Sequence, residues 1–193
     1  GVVLGPLVAT KWTQVEDKVG TGVTQIVENA MNQNARDLWA LAESAELSAQ
    51  RQVDTNVKLA KALVESGGGV RPAKETAEWL VDGQKVVLPR LLLGNTWLGQ
   101  SRSFSERAPL VDTVTATAGG TCTVFQRLNA QGDMLRVATT LKTPEGARAL
   151  GTPLYARDAQ GANPTLSAIL ARQSFRGRSF LDGAWHAVAY EPL

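Results

Sequence analysis

A segment of 54 residues without proline, Trp12 to Glu65, is the feature that most limits how this chain folds. Apolar residues recur in it at steps of three and four, from Val15 to Ala45 and again from Val53 to Val64, which is the spacing of one helix face. An unbroken helix of this length measures about 80 Å, whereas a small domain is about 30 Å across. We therefore expect part of the apolar face to pair with a partner helix, as in a homodimer.

The glycines that follow Ser66 mark the predicted end of this helix, because glycine is favoured at helix C-termini and in turns. The domain boundary is predicted at the same point, with residues 1–66 as a long N-terminal helical segment and residues 67–193 as a separate domain. Just beyond the boundary, Glu75 and Glu78 lie three residues apart, and we interpret them as solvated carboxylates on a helical turn.

Strand-like runs dominate the rest of the chain, and short turns containing glycine join two pairs of them into predicted hairpins. Helices do not alternate with strands as they do in a doubly wound parallel sheet, so the predicted fold class is α+β, with the long N-terminal helix packed on a five- or six-stranded antiparallel sheet. The predicted strands are Lys85–Leu93, Thr121–Leu128, Asp133–Leu141, Ser174–Leu181 and Ala184–Tyr190, and the short helices are Glu106–Ala118 and Pro164–Ala171.

The composition excludes several classes of function. A net charge of +2, spread along the chain, is too small for a nucleic-acid-binding surface. One cysteine and one histidine provide neither a disulfide nor a metal site, and the common nucleophile and phosphate-loop motifs are absent. We therefore expect neither an enzyme nor a bound cofactor. No apolar run approaches the ~20 residues of a membrane span, and the abrupt ends of the chain lead us to expect a portion of a longer protein.

Arg136 is the leading candidate for a binding residue. It interrupts the strand-like run Met134–Thr140, and its rigid guanidinium fork suits a carboxylate. Counting back across the turn that contains Gly132 places its cross-strand partner near Gln126. The alternative is an arginine on the solvated face of the sheet.

Aromatic residues provide further candidates. Trp97 lies in a loop rich in glycine and serine, where a tryptophan often covers something. Trp185, His186 and Tyr190 share the last strand, where they either line a pocket or fill the core. A hydrolase would need a nucleophile beside His186, and no such motif adjoins it in the sequence.

Several short blocks, in order, resemble the Cache sensor domains of bacteria, and together they cover about Lys85 to Leu193. The long helix fits the family by its length and position. The blocks are Val111–Val114, Gly119–Arg127, Gly132–Thr140, Arg176–Phe180 and Ala184–Pro192.

The resemblance implies a single Cache domain with a PAS-like sheet, located in the periplasm and anchored through membrane-spanning segments that flank it in the full protein. Such domains occur in methyl-accepting chemotaxis proteins and in sensor histidine kinases. Small organic acids are common ligands, and the pocket usually lies under the inserted loops, on the sheet face away from the long helix.

Carried onto this chain, the resemblance makes Arg136 the partner of the ligand carboxylate, with Trp97, Tyr155, Trp185 and His186 as pocket walls. The expected function is the ligand-binding domain of a chemoreceptor for an acetate-like monocarboxylate. The alternatives are the sensor domain of a histidine kinase and a dimerisation module without a ligand.

Overall fold

The computed structural model describes residues 5–99, 101–159, 161–181 and 184–193. The chain divides into two compact units, Gly1–Leu47 and Ser48–Leu193. Among the described residues, no helix combines the length and the apolar character needed to cross a membrane.

Helix α1 extends from Gly5 to Ser66 and thus begins seven residues before the predicted start. The described residues of the first unit all belong to this helix. Every described side chain from Val19 to Leu47 is exposed to solvent. The apolar stripe predicted for this segment is therefore uncovered, with Trp39 77% exposed and Met31 65% exposed.

In the second unit, the C-terminal part of α1 packs against the core. Leu59, Ala60, Leu63 and Val64 contribute the apolar face. The predicted stop at the glycines is confirmed, because the Gly69 amide donates to the Val64 carbonyl (2.8 Å) and Gly68 and Gly69 both have positive φ angles, which glycine adopts without strain.

Strand β1 (Val70–Val81) pairs antiparallel with β2 (Gln84–Leu93), so the helical turn predicted at Glu75 and Glu78 is wrong. The local preference of this Ala-, Lys- and Glu-containing segment is overridden by pairing with β2. Alternation along β1 then buries Trp79 and Val81 in the core and leaves Leu80 exposed between them. The short strand β3 (Thr96–Trp97) pairs with the other edge of β2.

All described ladders are antiparallel, and the predicted α+β class is confirmed. The hairpin between the last two strands is also confirmed, although its predicted turn at Asp182–Gly183 lies outside the described residues. The remaining elements are α2 (Pro109–Ala118), β4 (Thr123–Arg127), β5 (Met134–Thr139), β6 (Pro153–Leu154), β7 (Arg157–Asp158), β8 (Gly161–Ala162), α3 (Pro164–Leu170), β9 (Phe175–Leu181) and β10 (Ala184–Tyr190).

The described strands form several short ladders, β1-β2-β3, β4-β5-β6, β7-β8 and β10-β9, where the sequence had predicted one sheet of five or six strands. Pro89 of β2 lies at a contact between two of these ladders. It has no amide to donate, and its carbonyl accepts a hydrogen bond from the Gln126 side chain of β4 (2.9 Å). A side chain therefore links β2 to β4 at this point.

A buried ion pair between Arg148 and Asp112 joins α2 to the sheet. Arg148 is only 5% exposed, and its Nη1 and Nη2 atoms each lie 2.8 Å from a different Asp112 carboxylate oxygen. Its three other N–H groups donate to the backbone carbonyls of Ser103, Glu106 and Thr139. All five guanidinium donors are thus used within the chain.

The surroundings of this ion pair stabilise it further. Phe104 packs with its ring 4.3 Å from the Arg148 guanidinium carbon, and the Ala108 amide donates to Asp112 (2.7 Å). Burial acts to raise the pKa of Asp112, but the hydrogen bonds from Arg148 and Ala108 lower it overall. The Asp112 carboxylate therefore keeps its negative charge at neutral pH.

Replacement of Arg148 by alanine should destabilise the domain strongly. It leaves the Asp112 carboxylate and three carbonyls without their partner, and breaking a buried ion pair from one side costs about 3 kcal/mol or more. Urea denaturation would measure the loss. Arg71→Ala, an exposed arginine on β1, is the matched control and should change stability by less than about 0.5 kcal/mol. Equal effects of the two substitutions would contradict a central role for Arg148.

Candidate functional site

Arg136 lies in the middle of β5, with Phe125 of β4 as its cross-strand partner. The predicted partner, near Gln126, is one residue away and pairs with Leu135. The turn is the predicted four-residue loop, closed by the Leu128 amide, which donates to the Asp133 carbonyl (2.7 Å), and pairing outward from it brings Phe125 opposite Arg136. Arg136 consequently alternates with the fully buried Leu135 and lies on the other face of the strand.

The Arg136 guanidinium is half-buried against neutral groups. Its Nη1 atom donates to the Thr152 hydroxyl (3.1 Å) and more weakly to the Ala149 carbonyl (3.4 Å), and its guanidinium carbon lies 5.6 Å from the centre of the Phe125 ring. These contacts fix the direction of the side chain. Neither of the two acceptors carries a charge that would offset its own.

Aromatic rings extend this group from β4 to the last two strands. The Tyr190 ring lies 6.2 Å from that of Phe125 and 6.3 Å from that of Phe175, distances typical of packed aromatic pairs. Burial raises the pKa of the Tyr190 hydroxyl, and the positive charge of Arg136 opposes this rise. We refer to Arg136, Phe125, Tyr190 and Phe175 as the Arg136 group.

Trp185 and His186 lie at the other end of β10. They pair with Phe180 and Ser179, and both are exposed, Trp185 by 68%. Trp185 and Tyr190 are five positions apart along the strand, which corresponds to about 17 Å. The structure thus places these two predicted wall residues near the start of β10, away from Tyr190 of the Arg136 group.

Tyr155 lies between β6 and β7, where its hydroxyl donates to the Asp82 carboxylate in the β1–β2 turn. This hydrogen bond is the main cause of the raised pKa of Tyr155. Asp82 itself has a positive φ of 48°, as expected for an Asp-Gly hairpin turn. The Tyr155 hydroxyl thus links the β6–β7 segment to the turn of the β1–β2 hairpin.

Trp97 is half-buried on β3, and its ring lies 4.5 Å from the guanidinium carbon of Arg90 on β2. Sequence reasoning found Trp97 but missed Arg90. The signal that would have revealed it is a charged residue within the apolar run Val86–Leu93, the same argument that singled out Arg136.

A shallow groove of about 530 Å³ lies between α1 and the end of α2. Five of its seven lining residues are polar, and none of the five predicted site residues belongs to it. The lining residues are Ser48, Arg51, Gln52, Thr55, Leu59, Thr117 and Ala118.

A network of charged side chains connects α1 to the C-terminal end of β10, and we call it the C-terminal clamp. Arg176 of β9 donates to Asp54 of α1 (2.7 Å) and to Glu191 (2.6 Å). Glu191 also accepts from the Ser174 hydroxyl (2.8 Å) and lies 3.5 Å from the Lys61 ammonium group. Asp54 and Lys61 are seven residues apart, so they share one face of α1.

The model of the Cache 3/Cache 2 fusion domain family matches residues 16–193, which is nearly the whole chain. The chain belongs to this family. Comparisons with curated proteins and with solved structures found no match. The predicted Cache sensor domain is thereby confirmed, and the match includes most of the long helix, which the resemblance in the sequence had not covered.

Membership of the Cache family decides the broad class of the site. Cache domains are sensory, ligand-binding modules that typically lie outside the cytoplasm, and they are not enzymes. Arg136, the aromatic rings around it and the clamp all lie within the residues that the family model matches.

The clamp should make a measurable contribution to the stability of this Cache domain. A double-mutant cycle with Arg176→Ala and Glu191→Ala should give a coupling free energy of about 1 kcal/mol, a modest value because Arg176 is 37% exposed. The same cycle on the exposed pair Lys85 and Glu78 is the control and should give about 0.3 kcal/mol or less.

The coupling should also depend on pH. Burial tends to raise the pKa of Glu191, but hydrogen bonds from Arg176 and Ser174 lower it below its ordinary value of 4.5. A carboxylate with a lowered pKa stabilises the fold above its unfolded pKa and loses that effect as the pH falls through the folded value. Coupling that is equal at pH 7 and about pH 3 would contradict the ionic nature of the clamp.

Proposed function

We propose that this Cache domain is the extracytoplasmic ligand-binding domain of a transmembrane chemoreceptor, and that it senses a small monocarboxylate such as acetate. The observation that carries the proposal is Arg136, a half-buried arginine on a central strand of a sensor domain, bordered by aromatic rings. The Arg136 guanidinium would bind the carboxylate of the ligand.

The chemistry of Arg136 supports an anionic ligand. A positive charge that is partly removed from water is costly unless an anion or several acceptors offset it. Thr152 and Ala149 supply neutral acceptors and hold the side chain in place. A carboxylate can engage the guanidinium edge with two parallel hydrogen bonds, and the neighbouring Phe125 and Tyr190 rings would suit a short apolar tail.

The C-terminal clamp supports the output half of the proposal. Tyr190 of the Arg136 group directly precedes Glu191 of the clamp, and the clamp in turn holds α1 through Asp54 and Lys61. A ligand shifts a conformational equilibrium only by the difference in its affinity for the two states. A ligand that binds better to one position of β10 would therefore bias the position of α1.

The sensor domain of a histidine kinase would use the same ligand site and the same clamp. A dimerisation module without a ligand is the second candidate, and the exposed apolar stripe of α1 favours it. The stripe and the Arg136 group lie in different parts of the chain, so a receptor that both dimerises and binds a ligand accounts for both.

Acetate or a close relative should raise the melting temperature of the domain. The stabilisation follows RT ln(1 + [L]/Kd), which is about 2.7 kcal/mol at a hundredfold excess over Kd. Thermal melting against a panel of small carboxylates, amino acids and amines would measure it. Stabilisation by amino acids or amines, with none by carboxylates, would refute the proposed ligand class.

The same melting assay tests Arg136 as the anchor. Arg136→Ala should remove the acetate-dependent shift, a loss of about 2 kcal/mol or more for a charge-assisted pair, with the fold retained. Arg136→Lys should restore little, because lysine lacks the planar fork. An unchanged shift in the alanine variant would place the anchor elsewhere.

The α1 stripe should mediate self-association in the full receptor. In the isolated domain, where membrane segments do not hold two copies together, association is expected to be weak and to require high concentration. Analytical ultracentrifugation at increasing concentration would compare the parent with a Met31→Lys, Leu38→Lys variant, with Lys85→Glu as a charge-changing control outside α1. If the lysine variant associates as well as the parent, the stripe is not the interface.

A further inference from the structure

Arg90 and Trp97 are held together by the pairing of β2 with β3. Trp97 lies opposite Leu92, two residues from Arg90 on the same strand and therefore on the same face. The Arg90 guanidinium carbon lies 4.5 Å from the centre of the Trp97 ring, which is close for a cation over an indole. This contact offsets part of the positive charge, but it provides no oxygen acceptor for the guanidinium N–H donors.

The described residues do not satisfy those donors. The Nε atom of Arg90 is fully buried without a hydrogen-bond acceptor, and no ion pair or hydrogen bond of the Arg90 side chain is found in the described part of the chain. Arg148, in contrast, uses all five donors, and Arg176 binds two carboxylates. Arg90 is thus a partly buried cation whose charge is opposed mainly by an aromatic ring.

Gly99 limits where the Trp97 ring can lie. A Cβ atom at Gly99 would lie 3.0 Å from the Trp97 indole nitrogen and 3.0 Å from Cζ2 of the buried Trp79. Any larger residue would push one of these two rings aside. Glycine at this position therefore keeps the Trp97 ring where Arg90 stacks on it.

From these observations we infer that Arg90 and Trp97 form a carboxylate-binding site. The two terminal nitrogens of Arg90 would bind the carboxylate edge to edge, and Trp97 would hold the guanidinium in the required orientation. The site shares no residue with the Arg136 group. It is therefore an addition to the proposed function and can stand or fall without it.

The experiment follows the indole N–H signals of the domain by two-dimensional ¹⁵N NMR during titration with acetate, at constant ionic strength with chloride as the replaced anion. Trp97→Phe identifies the Trp97 signal. Four variants are titrated beside the parent: Arg90→Gln, Arg90→Lys, Arg136→Gln and Arg71→Gln. Arg71 is the matched control, because it pairs with Leu92 from the other side of β2 and is exposed.

We expect a saturable shift of the Trp97 signal in the parent, in Arg71→Gln and in Arg136→Gln. In Arg90→Gln the apparent affinity should fall at least tenfold, and in Arg90→Lys it should fall by a smaller factor because the charge remains. The other indole signals report whether each variant is folded. If Arg90→Gln does not fold, Arg90→Lys still tests the site. Gly99→Ala should weaken the same response by displacing the ring.

The inference is overturned if the Trp97 signal does not move, if it moves without saturation, or if Arg90→Gln and Arg90→Lys respond like the parent. The proposed function has a separate readout, the acetate-dependent rise in melting temperature that requires Arg136. A rise that is lost in Arg136→Gln, together with a static Trp97 signal, would retain the proposed function and reject this site. The reverse pattern would retain this site and reject Arg136 as the anchor.

Discussion

The ion pair between Arg148 and Asp112 is the interaction on which the second unit depends most. One guanidinium joins α2, the end of β5 and two backbone positions in residues 101–108, a segment that has no ladder of its own. Desolvating these charges is costly, and the cost is offset because every donor has an acceptor in good geometry. The position of residues 101–108 relative to α2 and β5 is fixed as a result.

Four arginines show how differently this chain balances a positive charge. Arg148 is neutralised by a buried carboxylate, and Arg176 by two carboxylates near the surface. Arg136 donates hydrogen bonds to neutral acceptors and lies near a phenylalanine ring, and Arg90 lies against a tryptophan ring. The first two complete connections within the fold. Aromatic rings help to orient the last two guanidinium groups, and an arginine oriented in this way is prepared to bind an external anion.

Elements with a strong local pattern were predictable from the sequence. The long helix, the glycine stop after Ser66 and the hairpins followed from periodicity and turn residues. Strand β1 did not, since its Ala, Lys and Glu residues favour a helix and only pairing with β2 reverses that preference. Arg148 follows a Thr-Pro-Glu-Gly turn and resembles a loop residue, because its burial is created by segments 36 to 45 positions away in sequence. Arg90 was missed as a site residue because its contact with the Trp97 ring depends on β3, a strand of only two residues.

The position of Arg136 on β5 determines where a ligand could act. The C-terminal end of this strand is fixed, because Thr139 is fully buried and its carbonyl accepts from Arg148. A carboxylate at Arg136 therefore has little freedom to move β5 towards α2. On the opposite face, the contact runs from Phe125 to Tyr190 through aromatic rings, which can slide past one another at a smaller cost than breaking a buried ion pair. Tyr190 precedes Glu191, whose hydrogen bonds to Arg176 and Ser174 are near the surface and are easier to rearrange. A displacement that starts at the Arg136 group therefore costs least free energy in the direction of the C-terminal clamp and α1. In the proposed sensor, α1 is the helix that would carry the signal.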